Sequence, residues 1–116
     1  MSIPSNFVFL EQRIIAVDDD GTDTGASFTV APPAGQSGDD CFFYNDSAGN
    51  PCQVLVAYTL ALAEAVAADA SAPGTKQFKI DKGVGILVKL NGARFVGAVC
   101  ESGKTTTLYC HRGTGQ

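Results

Sequence analysis

Short apolar runs alternate with clusters of turn-forming residues along most of the chain. Residues 7–10 and 13–17 read as one or two strands, followed by the turn-rich stretch Asp18-Asp19-Asp20-Gly21-Thr22-Asp23-Thr24-Gly25. Further strands are predicted over 27–30, 41–44, 53–58, 77–80, 85–90, 94–100 and 105–111. Between them lie Pro32-Pro33-Ala34-Gly35, the loop 45–51, and the short linkers Asp81-Lys82-Gly83, Asn91-Gly92 and Ser102-Gly103. Asn-Gly between apolar runs is a strong hairpin signal, because both residues tolerate the positive φ of a tight turn. Residues 54–69 mix two tendencies. The start, Val54-Leu55-Val56-Ala57-Tyr58, reads as a strand paired in a hairpin with Cys41-Phe42-Phe43-Tyr44. The Ala-rich remainder favours a short helix.

About eight short strands at regular spacing predict an all-β fold, an antiparallel β-sandwich that is jelly-roll-like or immunoglobulin-like. The second half leaves no room for helical crossovers between parallel strands. Alternation within the strands predicts an interior of Phe28, Val30, Phe42, Tyr44, Val54, Val56, Phe78, Ile80, Ile86, Val88, Phe95, Val99 and Leu108. One domain over residues 1–116 is expected, with 1–10 as an N-terminal arm whose Phe7 and Phe9 either add to a neighbour's sheet or pack on their own.

Composition narrows the function. A chain of 116 residues buries roughly two-thirds of its unfolded surface, so disulfides are not required for stability. With a single His, neither a multi-His metal centre nor a Cys-His zinc finger is expected. A net charge of −4 argues against a phosphate-tracking nucleic-acid binder. The N-terminus lacks the basic start and long apolar stretch of a secretory signal, and the apolar run 54–68 is too short to span a bilayer; synthesis and residence in a cytoplasm are expected, with no membrane partner. Charge is uneven: residues 1–58 carry eight acidic groups and one basic, residues 59–116 four acidic and seven basic. If the fold kept these halves apart, neighbouring copies would meet through complementary patches.

The candidate chemistry is thin. Cys41 and Cys52 flank one loop and Cys100 and Cys110 another. A tight turn at Ser102-Gly103 would set Cys100 opposite Thr105 and Cys110 opposite Phe95, which separates that second pair. A Cys41–Cys52 bridge fits the longer loop better. The competing reading makes all four small apolar core residues in a reducing compartment. Asp18, Asp19, Asp20 and Asp23 form an acidic loop, but counting from Asp18 puts Asp23 at the sixth position and Thr29 at the twelfth. A calcium-binding loop of the EF-hand kind needs Gly and Glu there, so a solvated turn is expected. His111 is the direct neighbour of Cys110, so in a strand the two point to opposite faces and make no catalytic pair. Gly83-Val84-Gly85 and Gly97 form no dinucleotide fingerprint, and Gly103-Lys104-Thr105 lacks the upstream glycine of a phosphate-binding loop, where Ala98 and Val99 stand. For sugar stacking, Trp is absent and only Tyr44, Tyr58 and Tyr109 are on offer. No catalytic, cofactor-binding or metal-ligating residue is assigned, and no enzyme is expected.

From residue 41 onward the order of motifs carries a resemblance. Phe43-Tyr44-Asn45-Asp46-Ser47-Ala48-Gly49-Asn50-Pro51 precedes the strand Gln53-Val54-Leu55-Val56-Ala57-Tyr58. After the Ala-rich insert come Phe78-Lys79-Ile80-Asp81-Lys82-Gly83, then Phe95-Val96-Gly97-Ala98-Val99-Cys100-Glu101-Ser102-Gly103-Lys104, Thr107-Leu108-Tyr109, and the end Gly113-Thr114-Gly115. This layout, over roughly residues 41–115, resembles small β-rich virion proteins of tailed bacteriophages, of the capsid decoration (cement) type. The first 40 residues and the four cysteines are not part of it. The resemblance implies a structural protein on the capsid surface, assembled in the host cytoplasm. Its partners would be the major capsid protein and copies of itself, as a dimer or trimer, with no nucleic acid. Head–tail connector, tail or fibre roles, and a soluble carbohydrate- or peptide-binding module, stand as alternatives.

Overall fold

The structure is a computed structural model that describes residues 8–20, 25–28, 39–66 and 77–114. Eight strands and one short helix follow in the order β1 (Val8–Val17), β2 (Gly25–Ser27), β3 (Asp40–Asn45), β4 (Cys52–Ala57), α1 (Leu60–Glu64), β5 (Phe78–Ile80), β6 (Gly85–Lys89), β7 (Phe95–Cys100) and β8 (Thr106–Thr114). They form two four-stranded antiparallel sheets, ordered β1-β8-β3-β6 and β2-β7-β4-β5. Among consecutive strands only β4 and β5 share a sheet; every other connection crosses from one layer to the other. That strand order is a jelly roll, which resolves the choice left open by the strand count.

The predicted turns at Asp81-Lys82-Gly83, Asn91-Gly92 and Ser102-Gly103 are present, but the hairpins are not. Ala93 N donates to Leu90 O at 3.0 Å, closing a turn whose central residues Asn91 and Gly92 both have positive φ (52° and 87°). Lys104 N donates to Glu101 O at 2.9 Å around Ser102-Gly103, and Val84 N to Asp81 O at 3.2 Å. Each of these turns hands the chain to the opposite sheet. β6 pairs with β3, β7 with β2 and β4, and β8 with β1 and β3. The expected β3–β4 hairpin is likewise absent. Cys100 faces Cys52, not Thr105, and Cys110 faces Arg13 and Phe43, not Phe95. A turn fixes local geometry only; which strand lies alongside is decided by where each strand's apolar face is buried.

The interior lies between the sheets. Ile15, Val17, Phe28, Phe43, Val54, Ile80, Val96 and Leu108 are at most 4% exposed there, with Val56, Phe78, Ile86 and Val88 packed against them. Phe43 and Phe78 meet edge-on across the layers at 5.7 Å. All four cysteines belong to this cluster, as small core residues. The phase of two strands differs from expectation. In β3 the inward positions are Cys41 and Phe43, so Phe42 and Tyr44 face out; in β7 they are Val96, Ala98 and Cys100, so Phe95 and Val99 face out. Phe42 and Val99 are buried all the same, as expected, but on the outer faces, while Tyr44 and Phe95 are half-buried. Both runs are nearly continuously apolar, and the cysteines complete one phase as well as the aromatics complete the other. Val30 lies outside the described residues.

Helix α1 covers the outer face of the second sheet. Thr59 caps it, extended at φ −132°, its hydroxyl accepting from Leu62 N at 3.2 Å. Ala63 is fully buried, and Val66 packs with Leu55 and Val99. The approach depends on Gly97: a Cβ there would stand 1.9 Å from Ala63 O. Residues 67–69 of the expected helical stretch lie outside the described residues.

Candidate functional site

Strand alternation dictates what the other outer face carries. Because Ile15, Val17, Phe43, Leu108, Cys110, Ile86 and Val88 point inward, the β1-β8-β3-β6 sheet turns Ile14, Phe42, Tyr44, Leu87, Tyr109 and His111 outward. Register aligns them in two rows, Gln12–His111–Phe42–Leu87 and Ile14–Tyr109–Tyr44–Gly85. Tyr44 and Tyr109 rings lie 6.2 Å apart. Gly85 gives Phe42 room: a Cβ there would meet Phe42 Cζ at 2.4 Å. Unlike the α1-covered face, this one leaves Ile14 60% and Leu87 45% exposed. Phe9, 52% exposed, extends it at the edge strand β1, where the register shifts between Phe9 and Glu11.

His111 sits at the join. Its ring meets Phe9 edge-on at 5.4 Å, and it lines a shallow hollow of about 380 Å³ with Phe9, Leu10, Glu11 and Gln12. Nε2 is buried without a hydrogen-bond partner among the described residues, and burial lowers the imidazole pKa. His111 and Cys110 do point to opposite sides of β8, as the alternation predicts. Among the described residues this face exposes Phe9, Ile14 and Leu87 beside the half-buried Tyr44 and Tyr109, while Phe42 and His111 are buried within it.

Two polar clasps hold the layers and were not signalled by any motif. At one end Asn45, fully buried, donates through Nδ2 to Asn50 O (2.8 Å) and Ile80 O (3.0 Å), while its Oδ1 accepts from the Thr106 hydroxyl. At the other, Arg112, 1% exposed, makes a two-pronged ion pair with Asp39 at 2.9 and 3.0 Å and lies over the Phe28 ring. Asp39 Oδ2 also accepts from Gly92 N at 2.9 Å. The only advance signal for these residues is their type: a lone Arg or Asn within apolar strand sequence must find partners if buried.

The remaining candidates are dispersed. In the acidic loop, Asp18 Oδ1 accepts from Asp20 N and Asp19 Oδ2 from Gly103 N, so both carboxylates serve backbone amides; Asp23 lies outside the described residues. No three His, Cys, Asp or Glu side chains among the described residues are grouped to hold a metal ion. Burial pushes the thiols up, Cys52 to about 12 and Cys100 to about 11, and raises Cys41 and Cys110 as well. Protonated thiols are weak nucleophiles. Cys41 and Cys52 lie in opposite sheets and all four thiols are free, so of the two readings the small core residues hold and the Cys41–Cys52 bridge does not. Tyr58 stands apart from the Tyr44–Tyr109 pair, its hydroxyl donating to Asn91 O at 3.0 Å. Residues 1–7 of the expected arm, Phe7 included, lie outside the described residues; Val8, Phe9 and Leu10 open β1, paired with β8. Each sheet draws strands from both halves of the chain, so the acidic and basic halves interleave. No helix among the described residues is long and apolar enough to cross a membrane.

No family model matches the chain, and no curated protein matches it. Among solved structures, a chain from Bacillus endospore appendages, described as a novel family of disulfide-linked pili, aligns over 100% of this chain and 98% of its own length, with a TM-score of 0.42 and 11% sequence identity.

Proposed function

We propose that the chain is a non-catalytic structural protein of a bacteriophage virion, a capsid decoration (cement) protein that docks on the major capsid protein and stabilises the head lattice. The observation that carries this reading is the apolar outer face of the β1-β8-β3-β6 sheet, with Ile14, Leu87 and Phe9 exposed beside the half-buried Tyr44 and Tyr109. An apolar face of this kind on a small domain marks a surface that is covered in use. The order of motifs over residues 41–115 supplies the virion context. Repetition on a lattice gives avidity, so each copy needs only a modest contact. The protein associates with copies of itself as a dimer or trimer at the lattice symmetry positions.

The test is co-sedimentation of the purified chain with phage heads stripped of their outer proteins. Wild type is expected to pellet with the heads, and Ile14→Asp with Leu87→Asp to stay in the supernatant while remaining folded. Heads that leave wild type in solution overturn the capsid reading. Binding to tails alone would favour a connector, tail or fibre role, and micromolar glycan or peptide binding a soluble recognition module.

A further inference from the structure

The four interior cysteines are not equivalent, and register sorts them. Every pair joining Cys41 or Cys110 to Cys52 or Cys100 crosses between the sheets, Cys52 and Cys110 near enough to feel each other's charge. No ladder sets the spacing of these pairs, and face-to-face sheets pack about 10 Å apart, against the roughly 5.5–6 Å usual between the Cα atoms of a disulfide. Cys41 and Cys110 share a sheet, but Cys110 pairs with Phe43 and Cys41 with Arg112, so the two cysteines are diagonal neighbours two residues out of step. Diagonal Cβ atoms lie roughly 7–8 Å apart or somewhat less, still too far for a disulfide. Cys52 and Cys100 are different: they are direct partners in the antiparallel β4–β7 ladder, both turned inward.

The backbone fixes which kind of pair this is. Cys100 N donates to Asp18 O at 2.8 Å, on the side of β7 away from β4. The Cys52–Cys100 pair is therefore a non-hydrogen-bonded one, the kind in which opposed Cα atoms approach to about 4.5 Å and side chains stand closest. That spacing falls inside the range a disulfide spans. We propose that Cys52 and Cys100 form a cross-strand disulfide between β4 and β7 when the chain folds in the presence of a small-molecule disulfide, leaving Cys41 and Cys110 as thiols. Both S–H bonds break and one S–S bond forms. Two electrons and two protons pass to the small-molecule disulfide, which departs as two thiols.

Timing follows from burial. Cys52 is 1% exposed and Cys100 0%, so an oxidant reaches them only before the sandwich closes or after it opens. A chain folded under reducing conditions and then oxidised in its native state keeps four thiols. This inference rests on register alone and is independent of the virion reading.

The experiment compares two samples of the full chain: one refolded from denaturant with reduced and oxidised glutathione, one folded reduced and then given the same buffer. Each is alkylated in denaturant and digested with trypsin and an aspartate-directed protease, which cuts at Asp46 and so separates Cys41 from Cys52. The refolded sample is expected to show the Cys52 and Cys100 peptides linked within a monomer, with Cys41 and Cys110 alkylated. The native sample is expected to show all four alkylated. The Cys110→Ala variant keeps the link and Cys100→Ala loses it, and the wild-type peptide map decides the matter if either variant misfolds. Four free thiols after refolding, a link through Cys41 or Cys110, or a link between chains overturns the proposal.

Discussion

Replacing Asn45 by Ala removes the clasp at one end of the sandwich. Asn45 is fully buried and its amide serves three groups: the carbonyls of Asn50 and Ile80, and the Thr106 hydroxyl. These come from the loop after β3, from β5 in the other sheet, and from β8. Ala supplies no donor, so the Ile80 carbonyl and the buried Thr106 hydroxyl each lose a partner, at about 1–3 kcal/mol apiece. Asn50 is half-buried and recovers part of its bond from water. The expected loss is about 4 kcal/mol, a large share of the roughly 5–15 kcal/mol that holds a domain together. For a chain of this length that corresponds to a drop in Tm of about 15 °C. The assay is urea and thermal unfolding followed by far-ultraviolet circular dichroism, since the chain has no Trp. Thr106→Val keeps the shape and removes only the hydroxyl, for about 1–2 kcal/mol. In the double variant the two losses should fall short of their sum by about 1 kcal/mol, because both delete the same bond. A loss below about 1 kcal/mol for Asn45→Ala, or strict additivity, refutes the clasp.

Three further outcomes follow from the geometry. Gly97→Ala drives a methyl into the Ala63 carbonyl, so α1 lifts from the sheet; a loss of about 2–3 kcal/mol in urea unfolding is expected, with faster amide exchange over α1. Arg112→Met strands the largely buried Asp39 carboxylate and costs about 3–5 kcal/mol, while adding Asp39→Asn recovers much of it, as equilibrium unfolding of the single and double variants will show. Stability should fall at both ends of a pH series. Burial lowers the His111 pKa, so the unfolded state binds the proton more readily and stability is lost as pH falls through about 6.5; His111→Phe flattens that limb. Burial raises the thiol pKa values, so the unfolded reduced chain ionises first and stability falls as pH rises past about 8.5, with a shallower slope for Cys110→Ala than for wild type.

Strand positions and turns were legible in the sequence because both are local. Seven of the expected strands overlap observed ones in the second to eighth places, and the reading of 7–10 and 13–17 as one strand is β1. The Ala-rich run announced α1 for the same reason, though its Thr59 cap was not read from the sequence. Pairing was not local. Asn91-Gly92 makes the turn its residues demand, yet the strands beside it separate into different layers, because in a jelly roll a neighbour in sequence is seldom a neighbour in the sheet. Facing failed where β3 and β7 are nearly continuously apolar: Cys-Phe-Phe-Tyr offers two buried phases, and only the opposing sheet chooses Cys41 and Phe43. The apolar outer face was hidden by that same ambiguity, since alternation alone turns Phe42 and Tyr44 inward. Arg112 and Asp39 lie 73 positions apart, and no spacing rule joins them.

The central claim is that the β1-β8-β3-β6 face is covered by the capsid. Cryo-electron microscopy of phage heads carrying the chain tests it most directly. The account predicts jelly-roll density on the outer head surface, with Ile14, Leu87 and the Tyr44–Tyr109 pair turned onto the major capsid protein. Heads without that density, or copies bound with this sheet open to solvent, would contradict it.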